Sequence, residues 1–146
     1  MSAMSDSTVG DSPSEEECHA LSLLDGRWIL RWTSSTRRGA GALGPFEVVV
    51  RSGRFVGLEE RGSVLVGTFR ILASGKLQAK ARISPLLSPP DVLIRDAAGG
   101  FTRRPQSYSV EFDAVDLAAV TELVATLGHG QSVLQLSLRK VAGTFN

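Results

Sequence analysis

The sequence predicts a mainly β protein: a small closed antiparallel meander barrel of about eight strands, preceded by one short helix. That expectation rests on three features. Apolar residues recur with a period of two in one segment after another, which puts them on a single face of a strand. Turn signals built from Gly and Ser separate these segments at intervals of about 8–12 residues. The intervening polar residues leave one face wet, as in an antiparallel sheet around a single core, and closing such a meander removes its edges.

The helix comes first, in "SEEECHALSLLDG". Ser14 with Glu17 three residues later fits a capping box, and acids in the first turn suit the helix dipole. Cys18, Leu21 and Leu24 share a face at helical spacing. The helix is expected from about Glu15 to Leu24, closed by Gly26. Residues 1–13, rich in Ser, Asp and Gly, read as a disordered acidic tail. Residues 14–146 then form one domain, with 14–25 as its helical lead-in.

After Gly26 the period changes to two. "RWILRW" places Trp28, Leu30 and Trp32 on one face, and "PFEVVVR" does the same for Phe46, Val48 and Val50. Ser52-Gly53 supplies a two-residue hairpin turn, because glycine accepts positive φ. "RFVGLEE" follows, then the turn Glu60-Arg61-Gly62, then "SVLVGTFRIL", ended by Ser74-Gly75. "KLQAKARIS" alternates most clearly, with Leu77, Ala79, Ala81 and Ile83 inward. "SYSVEFD" aligns Tyr108, Val110 and Phe112, and "SVLQLSLRK" aligns Leu134, Leu136 and Leu138. "LLSPPDVLIRDAAGGFTRRPQ", with Pro89-Pro90 and Gly99-Gly100, reads as loop with a short strand at Val92 to Arg95. "DLAAVTELVATLG" supports two readings. Leu117, Val120, Val124 and Leu127 fit a helix capped by Asp116, while Thr121, Leu123, Ala125 and Leu127 alternate as a strand. A meander favours the strand, from Val120 to Leu127.

Composition narrows the function classes. The 146 residues suffice for one self-supporting core, and 42% apolar with 21% charged residues is ordinary for a globular protein. No run approaches the ~18 apolar residues of a membrane-spanning helix. The polar, acidic start does not read as a secretory signal, and a single cysteine, Cys18, forms no internal disulfide. A cytoplasmic location follows as the expectation. The net charge of +1 argues against a nucleic-acid binder. It conceals an asymmetry: Asp6, Asp11, Glu15, Glu16 and Glu17 stand before residue 18 with no base among them, leaving ten acids against 16 bases beyond.

Candidate motifs yield little chemistry. "GAGALG", Gly39 to Gly44, matches G-x-G-x-x-G, but Pro45 and a strand follow where a dinucleotide site needs a helix. Cys18, His19 and His129 are too few for zinc and lack the spacing, so no metal site is expected. No catalytic residue and no cofactor is indicated, since no nucleophile elbow or converging carboxylate pair occurs. The arginine pairs Arg37-Arg38 and Arg103-Arg104 fall in loops. Aromatic residues make up only 6% of the chain, few for stacking bases. Trp28, Trp32, Phe46, Phe69, Tyr108 and Phe112 are expected inside, where they either fill the barrel or line a cavity for one small apolar ligand.

The succession Gly26, Trp28, Val48 to Val50, Gly53, Phe55, Gly57, Gly67, Phe69, Leu77 and Ala79 resembles the negative-regulator family of type III secretion, the Grl-type regulators. It covers "DGRWILRW" through "GKLQAKARIS", with a looser echo in "YSVEFDAV" and "LQLSLRKV". The resemblance implies a lipocalin-like barrel, a homodimer, and a role in holding a transcriptional activator inactive through a cluster of four acids. Here only Glu59 and Glu60 stand in its place, followed by Arg61. These three residues are the partner-binding candidates, with a basic transcriptional regulator as the partner. The expected function is thus a non-enzymatic, regulatory protein-binding module without nucleic-acid or membrane partners. The alternative is a carrier of a small apolar ligand.

Overall fold

Period-two alternation becomes strand at each place the sequence marks it. The computed structural model describes residues 13–34, 45–85, 94–95, 101–113, 116–129 and 132–141. The expectations for the acidic tail ahead of Pro13, for Arg37-Arg38, for Gly39 to Gly44 and for Pro89-Pro90 lie outside the described residues. Within them the strands are β1 (Gly26–Ser34), β2 (Phe46–Arg51), β3 (Arg54–Glu59), β4 (Val64–Ile71) and β5 (Leu77–Ser84). They continue as β6 (Ile94–Arg95), β7 (Phe101–Thr102), β8 (Gln106–Phe112), β9 (Glu122–His129) and β10 (Ser132–Lys140). β7 falls where loop was expected: its two residues become strand by pairing with β6. Eight of them form one antiparallel sheet in the order β8-β5-β4-β3-β2-β1-β10-β9, while β6 pairs only with β7. The sheet curls until β8 lies against β9, but among the described residues no hydrogen-bonded ladder joins these two ends. The barrel is therefore nearly closed where full closure was expected.

Inward residues follow the sequence pattern. β2 alternates strictly, with Phe46, Val48 and Val50 buried, and β5 buries Leu77, Ala79 and Ile83. The first hairpin turn is of the type whose two central residues both have positive φ: Ser52 at 52° and Gly53 at 81°. Ser52 is an uncommon choice for such a backbone, and its N–H is held by the Asp25 carboxylate at 2.7 Å. A different constraint acts at Gly67. Its cross-strand partner is Phe55, and a Cβ at Gly67 would run into both the Phe55 ring and the Lys80 carbonyl oxygen. The bare backbone lets Phe55 lie across β4 and meet Phe69, with ring centroids 4.9 Å apart.

Helix α1 (Glu15–Leu21) plugs one end of the barrel and gives way to a 3-10 turn over Ser22–Leu24, so the α-helix is shorter than expected. Leu21 and Leu24 are fully buried, and Leu21 packs onto Gly53. The indole N–H of Trp28 donates to the Leu24 carbonyl at 2.9 Å, satisfying a buried polar pair under the helix. Lys140 Nζ lies 5.7 Å from the same ring. The expected cap forms, with Ser14 Oγ accepting from the Glu17 N–H at 3.0 Å. The Glu17 carboxylate reaches across to β4, where it accepts from the Ile71 N–H at 2.7 Å and from Arg70 Nε at 3.0 Å. Burial pushes this carboxyl up, but the Arg70 guanidinium and the backbone N–H groups outweigh it and hold the group below the usual carboxylate range.

The ambiguous segment resolves as strand, preceded by a single hydrogen-bonded turn and not by a helix. Asp116 caps a single turn over Leu117 to Ala119, its Oδ1 accepting from the Ala118 N–H at 3.1 Å. From Glu122 onward the chain is strand, paired along its length with β10. Leu123 is buried and Val124 exposed, which is the strand alternation and contradicts a helical stripe.

Two outcomes follow. Gly67→Ala should destabilise the fold by about 1–3 kcal/mol in denaturant titration, because the core must shift to admit the methyl group. Stability should also carry an acid limb from Glu17: a depressed carboxylate stabilises above its unfolded-state value near 4.5 and loses that contribution as pH falls through the folded value. Glu17→Gln should flatten that limb in melts taken from about pH 5 downward, because the lowered folded value puts the loss below 4.5.

Candidate functional site

The barrel interior is the first place to look for a site. All eight strands of the large sheet turn apolar residues onto a cavity of about 60 Å³. Of the residues expected to line it, Trp32, Phe69, Tyr108 and Phe112 do so. Trp28 sits instead against the 3-10 turn, bonded to the Leu24 carbonyl, and Phe46 packs edge-on against Trp32 with centroids 5.8 Å apart. Phe55 lines the cavity without having been expected there, although the spacing Phe55, Gly57, Glu59 carried the signal. Burial raises the Tyr108 phenol to about 12, so it stays neutral at physiological pH. A pocket for a small organic ligand commonly measures ~300–1,000 Å³. This cavity is several times smaller, because the aromatic rings occupy the space.

The hairpin between β3 and β4 differs from expectation. Glu59 is only 2% exposed. Its register partner is Phe46, and strand alternation turns it inward together with Phe55 and Gly57. The carboxylate closes the turn, accepting from the Arg61 N–H at 3.0 Å and pairing with Arg61 Nε at 3.4 Å. The backbone adds two bonds, Glu59 N–H to Ser63 O and Gly62 N–H to Glu59 O. Glu60 and Arg61 are exposed. The partner-binding candidates Glu59, Glu60 and Arg61 thus do not present two acids to solvent: Glu59 belongs to the hairpin's internal bonding.

The outward face of β2, β3 and β4 carries what the sequence reading missed. Val49, Val56 and Val66 are directly paired across the three strands, and Leu58 stands beside them. All four are between 43% and 57% exposed. Contiguous apolar surface on a monomer commonly marks an interaction site, whereas scattered single residues do not. The signal was present in "EVVVR", "RFVGLEE" and "SVLVGTF": apolar residues occupy both phases of the alternation, so both faces of these strands are apolar.

Among the described residues, no group of three or more His, Cys, Asp or Glu could hold a metal ion, and no helix is long and apolar enough to cross a membrane. Arg103 and Arg104 are exposed just after β7. No family model, no curated protein and no solved structure matches this chain.

Glu59→Ala should lower stability by about 1.5–3 kcal/mol, the range for a hydrogen bond to a charged group, whereas Glu60→Ala should change it by under ~0.5 kcal/mol. Urea unfolding of the two variants side by side checks the contrast.

Proposed function

We propose that this barrel is a non-enzymatic binding protein that acts by gripping another protein, in a regulatory role of the kind that type III secretion negative regulators represent. The observation that carries this reading is the contiguous exposed row Val49, Val56 and Val66 on a barrel whose inside holds only about 60 Å³. Binding energy is available outside, where apolar area can be removed from water at ~25 cal/mol per Å². Little is available inside, because the side chains already bury one another. The carrier alternative would need a cavity several times larger. We place the protein in the cytoplasm, as its single thiol suggests. Homodimerisation is part of the same proposal.

The test is affinity capture from the native cell with the full chain as bait, read by mass spectrometry. A protein retained in near-equal amount supports the reading. Absence of any protein, with a small apolar molecule extracted from the purified barrel, overturns it. In parallel, long-chain fatty acids titrated into the protein should leave the emission of Trp28 and Trp32 and the melting temperature unchanged, since a ligand that bound the folded state would raise the latter.

A further inference from the structure

The apolar row does not stand alone. At its two ends the same register continues into Arg27 on β1 and Arg82 on β5, giving Arg27–Val49–Val56–Val66–Arg82 across five strands. Four steps of about 4.8 Å make this row about 19 Å long. The next outward row toward helix α1 reads Arg51–Arg54–Thr68–Lys80 across β2 to β5. Counting exposed, outward-pointing charges on β1 to β5, the bases are Arg27, Arg31, Arg51, Arg54, Lys80 and Arg82, and the one acid is Glu47. Glu47 pairs with Arg27 at 3.8 Å, an exposed contact of little energy. Arg51, Arg54, Lys80 and Arg82 have no ion-pair partner among the described residues.

The surface is also concave. Between helix α1 and the outward face of β2 to β5 runs an open groove of about 980 Å³, with Val49, Val56, Arg51, Arg54, Thr68 and Lys80 along it. Its wall on one side is the helix, held in place by the Glu17–Arg70 pair. Glu17 thereby neutralises Arg70 and leaves the groove's other bases to face outward.

We infer that this face is a docking surface for an acidic, amphipathic protein segment, whose apolar side chains cover Val49, Val56 and Val66 while its carboxylates meet Arg51, Arg54, Lys80 and Arg82. The inference rests on the proposed protein-binding function and reverses the charge of the expected partner. A basic regulator would find six like charges here and, with Glu59 buried, no acidic pair at the β3–β4 turn. A second copy docking through the same face would set these bases against one another, which costs energy. Nucleic acid would be drawn to the bases but would gain nothing from the valines, and among the described residues no aromatic ring is one of the large exposed apolar side chains to stack on.

The experiment uses the full chain and a short fluorescein-labelled peptide in which glutamates alternate with leucines, read by anisotropy. The same peptide with lysine in place of glutamate and a labelled oligothymidylate are the comparison probes. The acidic peptide should bind. Arg54→Glu with Lys80→Glu should weaken it about tenfold or more, acting largely through association rate, and Val56→Asp should weaken it as well. Val124→Asp, on the exposed face of β9, should not. Binding should also fall as the Debye length drops from ~30 Å at 0.01 M salt to ~8 Å at 0.15 M. Circular dichroism and melting temperature establish that each variant is folded, since exposed substitutions away from the core usually leave stability nearly unchanged.

No binding of the acidic peptide, or equal binding by the charge-reversed protein, overturns the inference. Oligothymidylate binding with equal affinity and loss on charge reversal overturns it in favour of nucleic acid. Self-association in sedimentation that Val56→Asp abolishes overturns it in favour of a second copy. A cellular partner retained equally by wild-type and charge-reversed protein overturns this docking surface while leaving the proposed function intact.

Discussion

Phe55 lies across Gly67 so closely that a methyl group there would meet both its ring and the carbonyl oxygen of Lys80. That contact sets the interior. It turns the Phe55 ring onto Phe69 and brings the β3 and β4 faces together at one level of the barrel. Trp32, Phe46 and Tyr108 form a second aromatic group, with Trp32 5.8 Å from Phe46 and 5.9 Å from Tyr108. Two such groups inside eight strands leave about 60 Å³. Small barrels are either filled by side chains or left wide enough for a ligand, and here the rings decide for filling.

One end of the barrel is sealed by the same logic. Leu21 ends a short helix that would be marginal by itself, since isolated helices under ~12–15 residues barely form in water; Leu24 of the 3-10 turn and Trp28 of β1 extend its apolar contact. Burial of the leucines, the Trp28–Leu24 hydrogen bond and the Glu17 bridge to β4 make the helix part of the core. The helix then does a second thing. By standing beside the sheet it converts a convex barrel wall into one side of a groove.

A filled interior moves the question of function to the outer wall. Most outward positions of the strands are polar, so the valines on β2, β3 and β4 are an exception with a place and a shape. Their surroundings are basic because the alternation of each strand puts arginine or lysine next to valine on the same face. The burial of Glu59 sharpens that imbalance. A carboxylate that seemed to belong to solvent is committed to Arg61 and the hairpin backbone, and it adds nothing to the outer potential.

Where the eight barrel strands lie and which face most of them bury were legible in the chain, because the period of two is a local property of the backbone; the two-residue β7, too short to show a period, was not. "KLQAKARIS" and "PFEVVVR" bury the residues their alternation names, and Ser52-Gly53 makes the turn its glycine permits. Local information was insufficient in three places, each for a physical reason. Leu117 to Leu127 satisfies both periods, and the pairing of Glu122–His129 with β10 selected the strand. Glu59 follows the inward phase of β3, but a charge at a strand end reads as solvated until the turn's N–H and guanidinium are seen to meet it. The apolar row and its basic neighbours belong to five different strands, and they become one surface only when register aligns them. That register, with the volume left between opposing rings, is a property of the folded whole, because it depends on contacts between residues far apart in the chain.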